Sequence, residues 1–235
     1  MNKLDKAIKR IGKKLVRCEW QCDGIENKPK EGKMPRCLIL ERKGRKRGGI
    51  IIIGENPGRA GGKENSELKD NVLHGNNADY GKYLDYWEEN KGEKEEKGKE
   101  DKGYYGKLRE FAERLAFKGP ILWTDIVKCQ KDTGKKKKSE LPAQTIRNCV
   151  NEYLLEEVEK APENWPIIAC GKVAFNTVSY LFLDRLIIGI PHVTGSYGYF
   201  SKLSSCPEKM REIKKLLTES KGKWYKDACW FNVTV

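Results

Sequence analysis

Four consecutive isoleucines, Ile50 to Ile53, stand between Gly48-Gly49 and Gly54. A run that is apolar at every position leaves no face for water. It reads as a strand buried on both sides, the kind found in parallel sheets with helices packed above and below. The periodicity elsewhere agrees. Strands are expected at residues 35–41, 121–128, 166–169 and 186–190, with an aromatic final strand at 224–235, and helices at 1–19, 104–117, 142–160, 172–182 and 207–219. Strands alternating with helices predict an α/β fold: three layers, α/β/α, around a central, mostly parallel four-stranded sheet wound by right-handed crossovers. The chain reads as a single domain over residues 1–235. Residues 1–34 hold a basic amphipathic helix and a cysteine pair, and residues 88–102, nearly all Lys, Glu and Gly, form a solvated low-complexity insertion.

Charge narrows the partners. The 235 residues carry 47 Lys plus Arg against 34 Asp plus Glu, a formal charge of +13. Such an excess favours polyanions, because neutralising phosphates releases counterions, although a basic solvated surface without that role is the alternative. A charged fraction of 34%, with lysine and glutamate interleaved, is also the composition of hyperthermophile proteins laced with surface ion pairs. No apolar run approaches the ~20 residues of a membrane span, and the start lacks the apolar stretch of a signal peptide. A soluble, cytoplasmic chain with no membrane partner is therefore expected. In a reducing compartment, eight cysteines are core residues or ligands before they are disulfides. With two histidines, His74 and His192, a histidine-ligated zinc hydrolase is excluded.

In an open α/β sheet the site lies beyond the carboxyl ends of the strands. The first such loop, Glu55-Asn56-Pro57-Gly58, is no phosphate cradle. Gly62-Lys63 would need glycine at 57 and Ser or Thr at 64, where Pro and Glu stand, and no Gly-x-Gly-x-x-Gly follows the strand. What remains is a carboxylate and an amide, Glu55 and Asn56, on a Pro-Gly turn. They can orient a water or stabilise a developing cation, or Asn56 can simply cap the turn. The last loop, His192-Val-Thr-Gly-Ser196, puts an imidazole at another strand end, where it can donate to a developing oxyanion.

Together these loops resemble a known family. Gly54-Glu-Asn-Pro-Gly58 and Pro191-His-Val-Thr-Gly195 are similar to the two motifs of the uracil-DNA glycosylase superfamily. Trp123-Thr-Asp-Ile-Val-Lys-Cys129 resembles the Thr-Asn-x-Val-Lys-Cys strand of its iron–sulfur, thermophile-type branch, and Cys149 follows twenty positions later, as that branch's fourth ligand does. Pro166-Ile-Ile-Ala-Cys-Gly-Lys-Val-Ala174 is similar to its next strand and helix. The likeness spans about residues 35 to 200, in motif order.

The resemblance implies a monomeric DNA base-excision enzyme that flips a damaged base into a pocket and hydrolyses its N-glycosidic bond. Asn56 matches the water-holding position of the mismatch-specific branches, Glu55 the acid of the iron–sulfur branch, and His192 the donor to the pyrimidine O2. Which of Glu55 and Asn56 orients the water is open. Gly54, Pro57 and Asp125 are the implied base contacts, with either Tyr80 or Tyr105 stacking on the base; Tyr80 is preferred. Asp125 departs from the family's Asn. A carboxylate accepts from N3–H but repels O4 when ionised, so an altered base preference, including hypoxanthine, is the alternative. Thr194, Gly195, Ser196, Tyr197 and Lys172 are the implied DNA contacts, Tyr197 as a wedge beside the flipped nucleotide, and the Lys131–Lys138 loop adds backbone charge.

Within the same likeness Cys18, Cys22, Cys129 and Cys149 make a ligand set for a [4Fe–4S] cluster, with structural zinc, or no metal, as alternatives. Cys37 can replace either early ligand. Cys170, Cys206 and Cys229 read as structural. A non-catalytic nucleic-acid-binding iron–sulfur or zinc protein of the same fold is the rival from outside enzymology.

Overall fold

The structure, a computed structural model, describes residues 3–36, 38–41, 48–58, 61–74, 77–96, 103–132, 140–194, 197–219 and 228–232. In chain order the elements begin with α1 (Lys3–Leu15), β1 (Ile39–Glu41), β2 (Ile50–Gly54), α2 (Gly62–Glu67), β3 (Leu73–His74), β4 (Asn77–Ala78) and α3 (Tyr80–Glu96). Next come α4 (Tyr104–Arg114), β5 (Ile121–Asp125), α5 (Ala143–Cys149), α6 (Leu155–Lys160), β6 (Ile167–Cys170) and α7 (Lys172–Leu181). The chain closes with β7 (Ile187–Ile190), α8 (Tyr199–Ser205), α9 (Pro207–Glu219) and β8 (Ala228–Trp230).

Residue contacts divide the chain into two compact units. One comprises Met1–Ile39, Asn56–Glu96 and Thr124–Lys160; the other comprises Leu40–Glu55, Lys97–Trp123 and Ala161–Val235. The second is built on the mixed α/β sheet, whose strand order is β1-β5-β2-β6-β7-β8. Six strands replace the expected four because Ile39–Glu41 and Ala228–Trp230 add a three-residue strand at each edge. The pairs β2–β6, β6–β7 and β7–β8 are parallel. Ile50 to Ile53 are buried throughout, as the uninterrupted apolar run requires. Such burial stabilises by about 1.5–3 kcal/mol per side chain.

The other unit is mainly helical. Its α1 buries Leu4, Ile8, Ile11 and Leu15 and contacts α3 and α6. Gly12 makes the approach possible, since a Cβ there would lie 2.1 Å from the ring of Tyr80. The segment expected as one helix over 142–160 is α5 and α6 joined by a π-helical turn, Val150–Leu154. The strand expected at 121–128 stops at Asp125, where Lys128 folds back onto the chain. The chain read as an insertion from residue 88 continues α3 to Glu96, because glutamate and lysine are good helix formers even without an apolar stripe. Also unanticipated are α2, the β3–β4 hairpin and α8, all too short to show a period. Among the described residues no helix is long and apolar enough to cross a membrane.

Candidate active site and cysteine site

The register of the parallel strands sets the first site. Ile53 pairs with Ala169, Ala169 with Gly189, and Cys170 with Ile190. The carboxyl ends of β2, β6 and β7 are therefore flush, and Glu55, Gly171 and His192 leave the sheet at one edge. Two strand spacings separate the outer ends, about 10 Å. Chain order also reverses here: the chain moves from β2 to β5 on one side and then to β6 on the other, the crevice where open sheets bind ligands.

His192 is half-buried, and its orientation is local. Thr194 N–H donates to Nδ1 at 3.2 Å, and the Thr194 carbonyl also meets Nδ1. Nε2 has no partner among the described residues. The two contacts call for opposite tautomers: accepting from Thr194 N–H puts the ring proton on Nε2, and donating to the closer Thr194 carbonyl puts it on Nδ1, so Nε2 is the donor in the first tautomer alone. Gly171 backs the imidazole. Its φ of +94° is a glycine conformation, and a Cβ there would meet the His192 Cβ at 3.5 Å. Tyr104 packs against it, with ring centroids 5.7 Å apart. Tyr105 stands edge-on to Trp123 at 5.1 Å. Trp123 in turn donates to the buried Glu41 at 3.0 Å, which Arg109 Nε also meets at 2.9 Å. Tyr105 thus rests on a fixed aromatic and ionic base.

Beyond His192, Thr194 is exposed, and Tyr197 is 94% exposed with φ +50°, followed by Gly198 at φ +79°. An aromatic side chain held in open solvent on two left-handed residues is an uncommon arrangement. Gly195 and Ser196 lie outside the described residues. Lys172 is exposed at the first position of α7.

Asn56, Pro57, Tyr80 and Asp125 belong to the helical unit. The Asn56 amide donates to the Pro57 carbonyl at 2.9 Å, so it does cap its turn, while its Oδ1 has no partner among the described residues. Arg36, which the sequence did not single out, holds this loop. Its guanidinium donates to the Gly58 carbonyl and pairs with Glu64 at 3.0 Å, while its backbone N–H meets the Lys128 carbonyl. Only the fold brings residue 36 to residues 58 and 128, so no motif spacing could have flagged it. Tyr80 departs from its preferred role. It is 1% exposed, its ring lies against Gly12, and its hydroxyl both accepts from Leu38 N and donates to Leu38 O. A ring enclosed in this way offers no face to a base, and Tyr105 is the half-buried alternative.

Asp125 is buried, and its carbonyl accepts from Lys128 Nζ at 2.6 Å. That ammonium is fully buried and also reaches Thr124 Oγ1 at 2.5 Å and Glu157 Oε2 at 2.6 Å. Glu157 Oε1 is buried with no hydrogen-bond partner among the described residues. A buried pair of this kind offsets its desolvation only through such contacts.

The second site lies in the same unit. Cys18, Cys22, Cys129 and Cys149 all line one cavity, together with Trp20, Ile25, Pro35, Lys128, Asn148, Glu152 and Tyr153. Asn148 Nδ2 lies 3.8 Å from Cys22 Sγ, and Cys18 shares a hydrogen bond with Tyr153. Burial pushes the Cys149 thiol up to about 11 and raises Cys129 further, the neighbouring thiols adding to the shift at Cys129. As bare thiols both are protonated at neutral pH; a bound cation would take them as thiolates. Among the described residues no group of three or more His, Cys, Asp or Glu is gathered closely enough to hold a metal ion. The donor set nevertheless fits a sulfur-ligated centre: four thiols from three segments facing one largely apolar cavity. Cys37 lies outside the described residues. Cys170 is fully buried at the end of β6, whereas Cys206 and Cys229 are half-buried, Cys206 donating to Glu208 at 3.4 Å. The Lys131–Lys138 loop lies outside the described residues from 133 onward.

No family model matches the chain, and no curated protein matches its sequence.

Proposed function

We propose that this chain is a DNA glycosylase of the uracil type, a monomer that hydrolyses the N-glycosidic bond of uracil or a related deaminated base in DNA. The observation that carries the reading is the flush alignment of β2, β6 and β7, which delivers the Glu55 turn, Gly171 and His192 to one edge of the sheet from segments up to 137 residues apart. In this reading the inner strands β5, β2, β6 and β7 form the middle of three layers. His192 Nε2 donates to the pyrimidine O2 as the base leaves with negative charge. Asn56 Oδ1, or the Glu55 carboxylate, accepts a proton from the water that attacks the sugar, whose oxocarbenium character the carboxylate also favours. Tyr105 stacks on the base, Asp125 reads its edge, Lys172 and Thr194 hold phosphates, and Tyr197 wedges beside the gap.

The four thiols are the residues that would hold a [4Fe–4S] cluster, with structural zinc or no metal as alternatives, and a bound centre would staple three segments rather than act on the base. Its ligands would be the buried Cys129 and Cys149 and the half-buried Cys18 and Cys22. This site favours a second reading, a non-catalytic nucleic-acid-binding metalloprotein. A panel of duplexes carrying uracil, hypoxanthine, xanthine or a mismatch, cleaved with alkali at abasic sites, separates the two. Wild type is expected to generate abasic sites in at least one duplex. His192→Ala lowers that rate by about 10²–10³ while leaving binding intact. Absence of product from every duplex rejects the enzyme reading, and clean activity on uracil alone rejects an altered base preference at Asp125.

A further inference from the structure

The surface of α1 has a role that the site chemistry does not absorb. Lys3, Lys6, Lys9, Arg10, Lys13 and Lys14 are all exposed, and the element's one acid is Asp5. The ordinary reading of a charged helix is a solvated face on which cations and anions neutralise one another, and α9 shows that pattern. There, Lys209 pairs with Glu212 at 2.9 Å and Arg211 with Glu208 at 3.5 Å. On α1 the exposed positions carry cations alone. Arg10 and Lys14 are engaged by Glu156 and by Glu152 on the neighbouring segment, which fixes the helix. Lys3, Lys6, Lys9 and Lys13 have no ion pair among the described residues. From Lys3 to Lys13 the helix advances about 15 Å, close to the axial length of about four phosphates of one DNA strand.

We infer that this face of α1 is a docking surface for the phosphate backbone of duplex DNA, independent of sequence and lesion. Charge complementarity selects the partner, and the buried face decides against a membrane. A helix that lies on lipid inserts its apolar side, but Leu4, Ile8, Ile11 and Leu15 are already enclosed by the protein. The inference rests on the reading of the chain as a DNA-acting protein for its choice of polyanion.

The test replaces these four lysines, Lys3→Gln, Lys6→Gln, Lys9→Gln and Lys13→Gln, in the full chain. Binding to a short lesion-free duplex is followed by fluorescence anisotropy between about 50 and about 200 mM salt, where each lost phosphate contact lowers the log–log slope by about 0.9. The expected result is a slope smaller by about 3–4 and an unchanged thermal melt, because the four side chains are exposed. A control removes the same charge elsewhere, through Lys69→Gln, Lys118→Gln, Lys160→Gln and Lys214→Gln, and is expected to change the slope by less than about 1. An unchanged slope in the α1 variant overturns the inference. An equal fall in the control overturns it too, since net charge then suffices. So does a loss confined to vesicles of anionic lipid. Base release from a lesion duplex at saturating protein is measured alongside: a wild type that binds DNA without cleaving it sinks the glycosylase reading and leaves this surface standing.

Discussion

At the scale of single residues, a buried charge depends on its partner. Lys128 and Glu157 are enclosed together, with Thr124 and the Asp125 carbonyl completing the ammonium's contacts. Removing one partner leaves the other charge stranded. Lys128→Met is therefore expected to cost about 3–5 kcal/mol in urea denaturation, while the double change Lys128→Met with Glu157→Leu recovers most of the loss. Equal losses in the single and double variants would show that the pair is not the source. Tyr197 makes a different prediction because it touches so little. Tyr197→Ala is expected to leave the melting temperature within about 1 °C, as exposed substitutions do. It is also expected to slow base release from duplex substrate more than from single-stranded substrate, where no stack needs to be opened. Equal slowing on both would remove the wedge role.

At the scale of elements, close approach rather than propensity sets the positions. Gly189 lies in β7 between Phe175 of α7 and Trp230 of β8, and a Cβ there would stand 2.4 and 2.5 Å from their rings. Neither ring is the loose end of a flexible chain, so Gly189→Ala is expected to destabilise by about 1–3 kcal/mol. His192 lies two residues beyond β7, so the same change is expected to lower the rate of base release in protein that is still folded. Full activity in a destabilised variant would separate strand packing from the site. Gly12 works similarly for α1, whose seat against Tyr80 exists because the position lacks a side chain. Here the structure also explains the departure of Tyr80 from its expected role. An aromatic that supports a helix and satisfies its hydroxyl on Leu38 is committed to the core before any ligand arrives.

At the scale of the whole molecule, the +13 charge and the eight cysteines acquire separate places. Six exposed cations lie on α1, and four thiols drawn from residues 18 to 149 line one cavity. If those thiols hold a metal, its binding energy is folding energy for the segments they join. The double variant Cys129→Ser with Cys149→Ser is expected to lose its metal by elemental analysis and to melt well below the wild type, and a strong chelator is expected to lower the wild-type melt in the same direction. A metal-loaded double variant would move the centre to other ligands. From the sequence alone came the both-faces-buried strand at Ile50–Ile53, the parallel α/β class and most helix positions, because periodicity and glycine placement are local signals. The loops after β2 and β7 were legible as loops at strand ends, since the strands before them were. Tertiary structure alone decided that Arg36 holds the Gly58 loop, that Tyr80 is core and that Lys128 pairs with Glu157. It also decided that β1 and β8 extend the sheet. Each of these depends on which distant side chains meet, and a one-dimensional pattern of apolar and polar residues specifies burial far better than partners.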